Sequence, residues 1–207
     1  KYIFYPSPEE MQKYYQGLRE SRLIKKTPGD LGFKDEATFF SNFLSSRYYQ
    51  EVEEALKKNP QWKSKTVPAN SKVVLGYLLQ DIHHLPMFVA RKEGYYEGVG
   101  LTPGKNLNQS HFANGVAVME AFKIGDIDAA YLGGAPATLK RWNDNIKIKV
   151  IAGANDEGSA LVVRKDSPIT ALKDLPGKTI AIPAVGTVQY FILKKISEPL
   201  GCRLTLK

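Results

Sequence analysis

The chain has 207 residues and a formal net charge of +8, with 43% hydrophobic and 24% charged residues. This balance is typical of a folded globular protein and excludes a disordered or fibrous chain. The basic residues are spread along the chain between acids, and no zinc-finger spacing or aromatic RNA-binding signature accompanies them. The charge therefore favours a solvated basic surface, and we expect no nucleic-acid partner.

Membrane and cysteine features are few. No apolar run approaches the roughly 20 residues that a membrane helix needs. The first residues lack the apolar stretch and cleavage site of a signal peptide, so we expect either a cytoplasmic protein or one whose signal has been removed. Cys202 is the single cysteine, which excludes a disulfide framework and a cysteine-based metal site.

The first third of the chain predicts helices. Residues 7–10 combine a serine cap with proline and acids in a first helical turn, and apolar residues recur at helical spacing over 11–18. Two further aromatic stripes cover residues 39–44 and 48–56. Such stripes are more typical of packing against a larger body than of ligand stacking. Residues 1–66 are therefore predicted to be a helical segment that packs on the body of the protein.

After a polar linker over residues 63–71, strand and helix patterns alternate. Strands separated by helices of this length predict an α/β fold with a mostly parallel sheet covered on both faces. The predicted strands are 73–78, about 105–112, 127–132, 147–152, 160–163 and 179–182, and the predicted helices are 85–93, 115–122, 136–142 and 187–196.

In open α/β sheets, ligands bind beyond the carboxyl ends of the strands, where helices begin. The first such junction contains Gln80, Asp81, His83 and His84. Adjacent imidazoles point in different directions and no cysteine lies nearby, so the pattern does not favour zinc, and we expect no metal site. Hydrogen bonding to a ligand and simple helix capping both remain open for these residues.

The second junction runs from a strand through two glycines into a helix. Gly134, Ala135 and Ala137 are small enough for a ligand to approach the backbone. The free N–H groups of a first helical turn carry partial positive charge, which suits an anion. The alternative is that the glycines serve turn geometry alone.

The third junction repeats this pattern with Gly186, Thr187, Val188 and Gln189. The Thr187 hydroxyl is expected to be an added donor to the ligand. The segment is not a phosphate-binding P-loop, because the Gly-Lys-Ser/Thr ending is absent.

Between the second and third junctions lies a polar, glycine-bearing stretch that contains Asn155, Glu157 and Ser159. Its composition suits a flexible crossing segment between two lobes. The chain has no Ser-His-Asp order, no nucleophile elbow and no pair of carboxylates on one element, so no catalytic residue can be named. The sequence therefore predicts a binding protein and not an enzyme.

Four stretches carry a family resemblance: GYLLQDIHHLPMFVARKEGYYE, FANGVAVMEAFKIGDIDAAYLGGAPATL, IKVIAGANDEGSALVVRKDSPI and LKDLPGKTIAIPAVGTVQYFILKK. In this order they resemble the periplasmic solute-binding proteins of nitrate, sulfonate, taurine and bicarbonate ABC importers. That family is related to the thiamine-pyrimidine synthases. The resemblance begins near Val73. It implies a two-lobe type II periplasmic-binding-protein fold with the ligand in the cleft. It places residues 80–84, 134–137, 155–159 and 186–189 around that cleft.

The resemblance also implies the domain organisation. Residues 70–158 would form the first α/β lobe, and residues 159–207 the crossing strand and the start of the second. Because the family's second lobe is longer, we expect it to be incomplete here and to be completed by further polypeptide or by a partner chain. Residues 6–46 resemble the helical segment that normally ends such proteins, which suggests a rearranged chain.

The function implied is capture of a small polar, anionic solute by hinge closure between lobes, and its delivery to a membrane permease. No cofactor is expected, and the location would be periplasmic or extracellular and associated with the membrane. The alternative is a pyrimidine synthase of thiamine biosynthesis that uses pyridoxal phosphate, with His83 or His84 as its histidine. That family's cysteine-rich motif has no counterpart, because Cys202 stands alone.

Overall fold

The computed structural model describes residues 5–155 and 158–202. Short 3-10 turns occur at Gly29–Leu31, Ile82–His84 and Leu172–Asp174. The helices and strands are α1 (Pro8–Glu20), α2 (Glu36–Phe43), α3 (Arg47–Lys58), β1 (Val73–Leu78), α4 (Leu85–Lys92), α5 (Tyr95–Gly98), β2 (Leu107–Phe112), α6 (Gly115–Ile124), β3 (Ala129–Ala130), α7 (Gly134–Asn143) and α8 (Val188–Ser197).

The strands form a three-stranded parallel sheet in the order β2-β1-β3. Val73 lies opposite Leu107, and Leu75 lies opposite Ala129. Because all three strands run in one direction, their carboxyl ends meet at one edge of the sheet, where the chain turns toward α4, α6 and α7. The α/β class with a parallel sheet is confirmed. The two-lobe arrangement stays a prediction.

Four predicted helices are confirmed as α4, α6, α7 and α8, and strand β1 has its predicted bounds. Helix α6 shows why these boundaries could be predicted. The side chain of Asn114 accepts hydrogen bonds from the N–H groups of Val116 and Ala117 at its start, both at 3.1 Å. Gly125 ends the helix in the left-handed conformation, with φ of 78°.

Three predicted strands are wrong. Residues 147–152, 160–163 and 179–182 form no strand, and β3 occupies only two residues of its predicted range. In the first segment, Val150 makes one isolated bridge to Leu44. The β-branched and apolar composition predicted these strands. However, a strand also needs a neighbour for its N–H and C=O groups, and apart from the bridge at Val150 no strand pairs with these segments in the described part of the chain.

The N-terminal helices share a core with α7. Trp142 of α7 is fully buried, and its ring centroid lies 4.3 Å from that of Tyr15 and 4.2 Å from that of Phe39. The indole N–H donates to the carbonyl of Lys26 at 2.6 Å. Phe40 and Phe43 complete this aromatic cluster. The helical segment is thus packed against α7, while the domain boundaries stay a prediction.

Helix α3 does not show the close packing that its aromatic stripe predicted. Its apolar stripe remains substantially exposed, with exposed fractions of 54% for Tyr48 and 41% for both Val52 and Leu56. No residue of α3 is buried. The spacing predicted the helix correctly, but a stripe cannot show whether a neighbouring element covers it. None of the helices among the described residues is long and apolar enough to span a membrane.

Candidate functional site

The turn after β1 is organised by the carboxylate of Asp81. Gln80 enters the turn in the left-handed conformation, with φ of 59°. One carboxylate oxygen of Asp81 accepts the backbone N–H of His83 at 2.9 Å and lies 2.5 Å from Nδ1 of the same residue. Asp81 therefore holds the proton of His83 on Nδ1 and directs Nε2 away from the turn.

His84 has a different environment from its neighbour. Its side chain is buried, and Nδ1 accepts the backbone N–H of Leu78 at 3.2 Å. The imidazole ring also lies 5.4 Å from the ring of Tyr131. Burial lowers the pKa of His84, against the opposing effect of the Asp81 carboxylate. The neutral ring therefore ties the turn to the end of β1.

Tyr131 is a residue that the sequence reasoning did not include in the site. It follows β3 at the same sheet edge, and its phenol shares a hydrogen bond with that of Tyr96. Burial raises the pKa of both phenols, so both are protonated at neutral pH. The sequence placed it inside the predicted strand over 127–132, whereas β3 ends at Ala130 and leaves Tyr131 at the sheet edge.

Glycines bring the starts of α6, α7 and α8 together. A β-carbon at Gly115 would lie 2.6 Å from Cγ of Pro136, and one at Gly133 would lie 2.7 Å from Cγ2 of Val188. At Gly186, where φ is 87°, a β-carbon would lie 3.3 Å from a methyl group of Leu139. Any larger side chain would force these helix starts apart.

The three helix starts differ in how they are capped. Asn114 caps α6, and the Thr187 hydroxyl caps α8 by accepting the N–H of Tyr190 at 3.4 Å. The same hydroxyl donates to the carbonyl of Ala184 at 2.7 Å, so its proton is committed within the protein. Helix α7 has no side-chain cap. Its first residue, Gly134, is exposed, and a β-carbon there would meet no atom within 4 Å.

The crossing segment, the polar stretch around residues 155–159, contacts both the turn after β1 and helix α8. A β-carbon at Gly158 would collide with Nε2 of His83, so this ring lies directly against the segment's backbone. The next residue, Ser159, accepts a hydrogen bond from the side-chain amide of Gln189 at 3.5 Å. The segment thus contacts the turn after β1 on one side and the start of α8 on the other.

The four predicted segments therefore form one continuous neighbourhood at the carboxyl edge of the sheet. Gln80, Gly134, Ser159 and Gln189 are exposed there, while Asp81, His83, Asn155 and Val188 are half-buried. His84, Ala135, Ala137, Gly186 and Thr187 are buried, and Glu157 lies outside the described residues.

A cavity of about 730 Å³ lies along α8 but contains none of these residues in its lining. Its walls come from residues 175–185 and from apolar positions of α8 and the turn that follows, including Leu193 and Ile196. This groove of mixed polarity is separate from the predicted site residues at the helix starts. Among the described residues, no group of three or more His, Cys, Asp or Glu side chains could hold a metal ion.

Comparison with known proteins bears on the same region. Residues 104–192 match the family model of the ABC transporter phosphonate periplasmic substrate-binding proteins. Over 96 residues the chain is 31% identical to the taurine-binding periplasmic protein of Escherichia coli (strain K12). The resemblance to ABC-importer solute-binding proteins is confirmed. No solved structure matches the chain.

The match to this family is partial in extent. The aligned region covers 46% of this chain and 29% of the length of the taurine-binding relative. The family-model match contains the starts of α6, α7 and α8 and the crossing segment, whereas the turn at residues 80–84 lies before it. The family-model match therefore includes the three helix starts and not the turn after β1.

Proposed function

We propose that this chain binds a small oxyanion for an ABC importer at the sheet edge where α6, α7 and α8 begin. The observation that carries the proposal is the convergence of these starts around Gly115, Gly133 and Gly186. Helix starts present N–H groups and partial positive charge, which together stabilise an anion. Asn114 accepts the N–H groups of Val116 and Ala117 in α6, whereas α7 has no side-chain cap and the Thr187 hydroxyl in α8 accepts the N–H of Tyr190. The proposed ligand contacts are therefore the first amides of α7 and those of Val188 and Gln189.

The class of solute follows from the chemistry that the two matched proteins share. The family description names phosphonate, and the relative is named for taurine, which carries a sulfonate. Both acidic groups are tetrahedral and bear three oxygens that accept hydrogen bonds. We therefore propose a small organic sulfonate or phosphonate. Nitrate, which is planar, belongs to the wider class implied by the sequence and fits this shared chemistry less well.

His83 supplies directional contact in this proposal. Because Asp81 holds a proton on Nδ1, the neutral ring presents a lone pair at Nε2. This lone pair repels an anion and accepts a hydrogen bond from an ammonium group. The doubly protonated ring donates from Nε2. A plain sulfonate is therefore bound by the protonated ring, while a zwitterion such as taurine can place its ammonium group against the neutral one.

The proposal also includes hinge closure around the ligand and its delivery to a membrane permease. The protein would act in the periplasm or outside the cell, in association with the membrane. A hydrogen bond of 3.5 Å between the exposed side chains of Gln189 and Ser159 links the crossing segment to α8, which supports a hinge here. Such a link can break and reform as the two sides move.

Calorimetric titration of the purified protein with taurine, ethanesulfonate, methylphosphonate and nitrate tests the proposal, together with mass spectrometry of any ligand released on denaturation. We expect a sulfonate or phosphonate to bind more tightly than nitrate. Absence of binding by every probe would overturn the proposal. A Schiff-base absorbance band on adding pyridoxal phosphate would instead support the pyrimidine-synthase alternative.

A further inference from the structure

Helix α1 lies in close contact with α8, at a point where a glycine replaces a side chain. A β-carbon at Gly17 would lie 2.8 Å from Cζ of Phe191 and 3.1 Å from Cε of Lys195. Gly17 is buried although it lies in the middle of a helix, where glycine is normally unfavourable. The Phe191 ring and the Lys195 side chain therefore occupy the space that a side chain at position 17 would need.

An ion pair continues the contact one turn further along α1. Nζ of Lys195 lies 2.5 Å from a carboxylate oxygen of Glu20. Residues three or four positions apart lie on one helix face, so Gly17 and Glu20 present one face of α1 to Phe191 and Lys195 on one face of α8. Both members of the ion pair are partly exposed, with exposed side-chain fractions of 37% and 66%. An exposed pair adds little stability, but it lies on the same helix faces as the Gly17 contact and joins the same two helices.

The same helix is anchored on α7. Tyr15 is buried and packs its ring on Trp142, with ring centroids 4.3 Å apart. Its ring also meets Phe40 edge-on at 5.6 Å. Helix α1 thus holds both α7 and α8, the two helices whose starts belong to the candidate site.

We propose that α1 is a clamp that sets where α8 begins relative to α7, and that Gly17 and Glu20 are positioning residues for the oxyanion site. This inference rests on the proposed function for its link to ligand binding. Phe191 lies one helical turn from the start of α8. A large side chain at position 17 would therefore displace Phe191 and, with it, the amides of Val188 and Gln189. Hydrogen bonds weaken steeply beyond about 3.5 Å, so a displacement of about 1 Å is enough to lose a ligand contact.

The first measurement is a spin-label distance that needs no ligand. Labels are attached to cysteines introduced at Lys123 on α6 and Glu198 at the end of α8, both exposed, in the full chain carrying Cys202→Ser. Gly17→Leu should lengthen or broaden the distance, because a close-packed contact has no void for the added side chain. Phe191→Ala combined with Gly17→Leu should restore it. Gly98→Leu is the matched control, because a β-carbon at Gly98 would meet no atom within 4 Å.

The second measurement is the affinity for taurine of the same variants. Gly17→Leu should weaken binding about tenfold or more, with recovery in the double variant. Should Gly17→Leu fail to fold, charge reversal takes its place: Glu20→Lys should shift the distance, and adding Lys195→Glu should restore it. An unchanged distance in the folded single variants would overturn the clamp. Unchanged affinity despite a shifted distance would overturn its role in the site.

Failure of the proposed function gives a distinct result. If the parent chain binds none of the oxyanion probes, the proposed function fails, while the label distances still decide whether α1 positions α8. If the parent binds taurine and the distances do not move, the proposed function stands and the clamp does not.

Discussion

The carboxylate of Asp81 lies 2.5 Å from Nδ1 of His83, and this contact separates the roles of two histidines that are adjacent in the sequence. His83 is left with Nε2 against the crossing segment at Gly158. His84 accepts the N–H of Leu78 with its own Nδ1, and its Nε2 lies 3.8 Å from the other carboxylate oxygen of Asp81. The His83 ring therefore packs against the crossing segment, and the His84 ring holds the turn.

His83→Ala should weaken the binding of taurine and of ethanesulfonate, because it removes the imidazole that the proposal places against the ligand. Calorimetry measures the change in affinity. If His83→Ala and His84→Ala both bind like the parent, neither histidine contacts the ligand.

The stability of the protein should fall on acidification through the titration of His84. Burial lowers the pKa of His84 from its ordinary value of 6.5, so the unfolded chain takes up a proton at this position before the folded chain does. The stabilising contribution is fully present above pH 6.5 and is lost as the pH falls toward the folded-state pKa. Urea unfolding of the parent and of His84→Gln checks this. An equal loss of stability in both proteins would contradict it.

Gly134→Val should abolish oxyanion binding with little loss of stability. The added side chain would stand at the uncapped start of α7, where it blocks the approach of a ligand to the first amides. A β-carbon at this position meets no neighbouring atom within 4 Å, so the fold can accept it. Calorimetry reports the affinity and thermal unfolding reports the stability, with Gly98→Val as the control. Parent-like affinity of Gly134→Val would exclude this helix start as the anion site.

Deleting residues 1–66 should cause aggregation. The deletion removes Tyr15, Phe39, Phe40 and Phe43, and it exposes Trp142, which is fully buried in the intact chain. Burial of each side chain of this size contributes roughly 1.5–3 kcal/mol, against total stabilities of about 5–15 kcal/mol. Phe39→Ala is the milder test and should cost about 3–5 kcal/mol in urea unfolding. A soluble, cooperatively melting remainder with unchanged ligand affinity would show that the segment is an appendage.

The positions of the helix starts could be predicted from the sequence because their causes are local. Glycine after a strand, a capping side chain such as Thr187, and proline in the first turn of α7 all act within a few residues. The junction at Asn114 and Gly115 carries the same pattern, but it was not singled out. The convergence of Gly133 on Val188 could not be predicted, since it depends on packing between distant segments.

The errors have a physical cause as well. Residues 160–163 are apolar and β-branched, yet they are exposed and form no strand, because propensity alone cannot supply a hydrogen-bonding neighbour. The assignment of Thr187 as a ligand donor failed to anticipate that its hydroxyl proton goes to Ala184. Similarly, the apolar spacing of α3 predicted a helix but not that Tyr48 would remain exposed.

The central claim is that a small oxyanion rests on the starts of α7 and α8. Titration of ¹⁵N-labelled protein with taurine, followed by amide chemical shifts, tests it most directly. We expect the largest shifts at the amides of Gly134, Ala135 and Gln189, with smaller shifts around His83. Absence of shifts at millimolar taurine, or shifts confined to the groove lined by Leu193 and Ile196, would contradict the account.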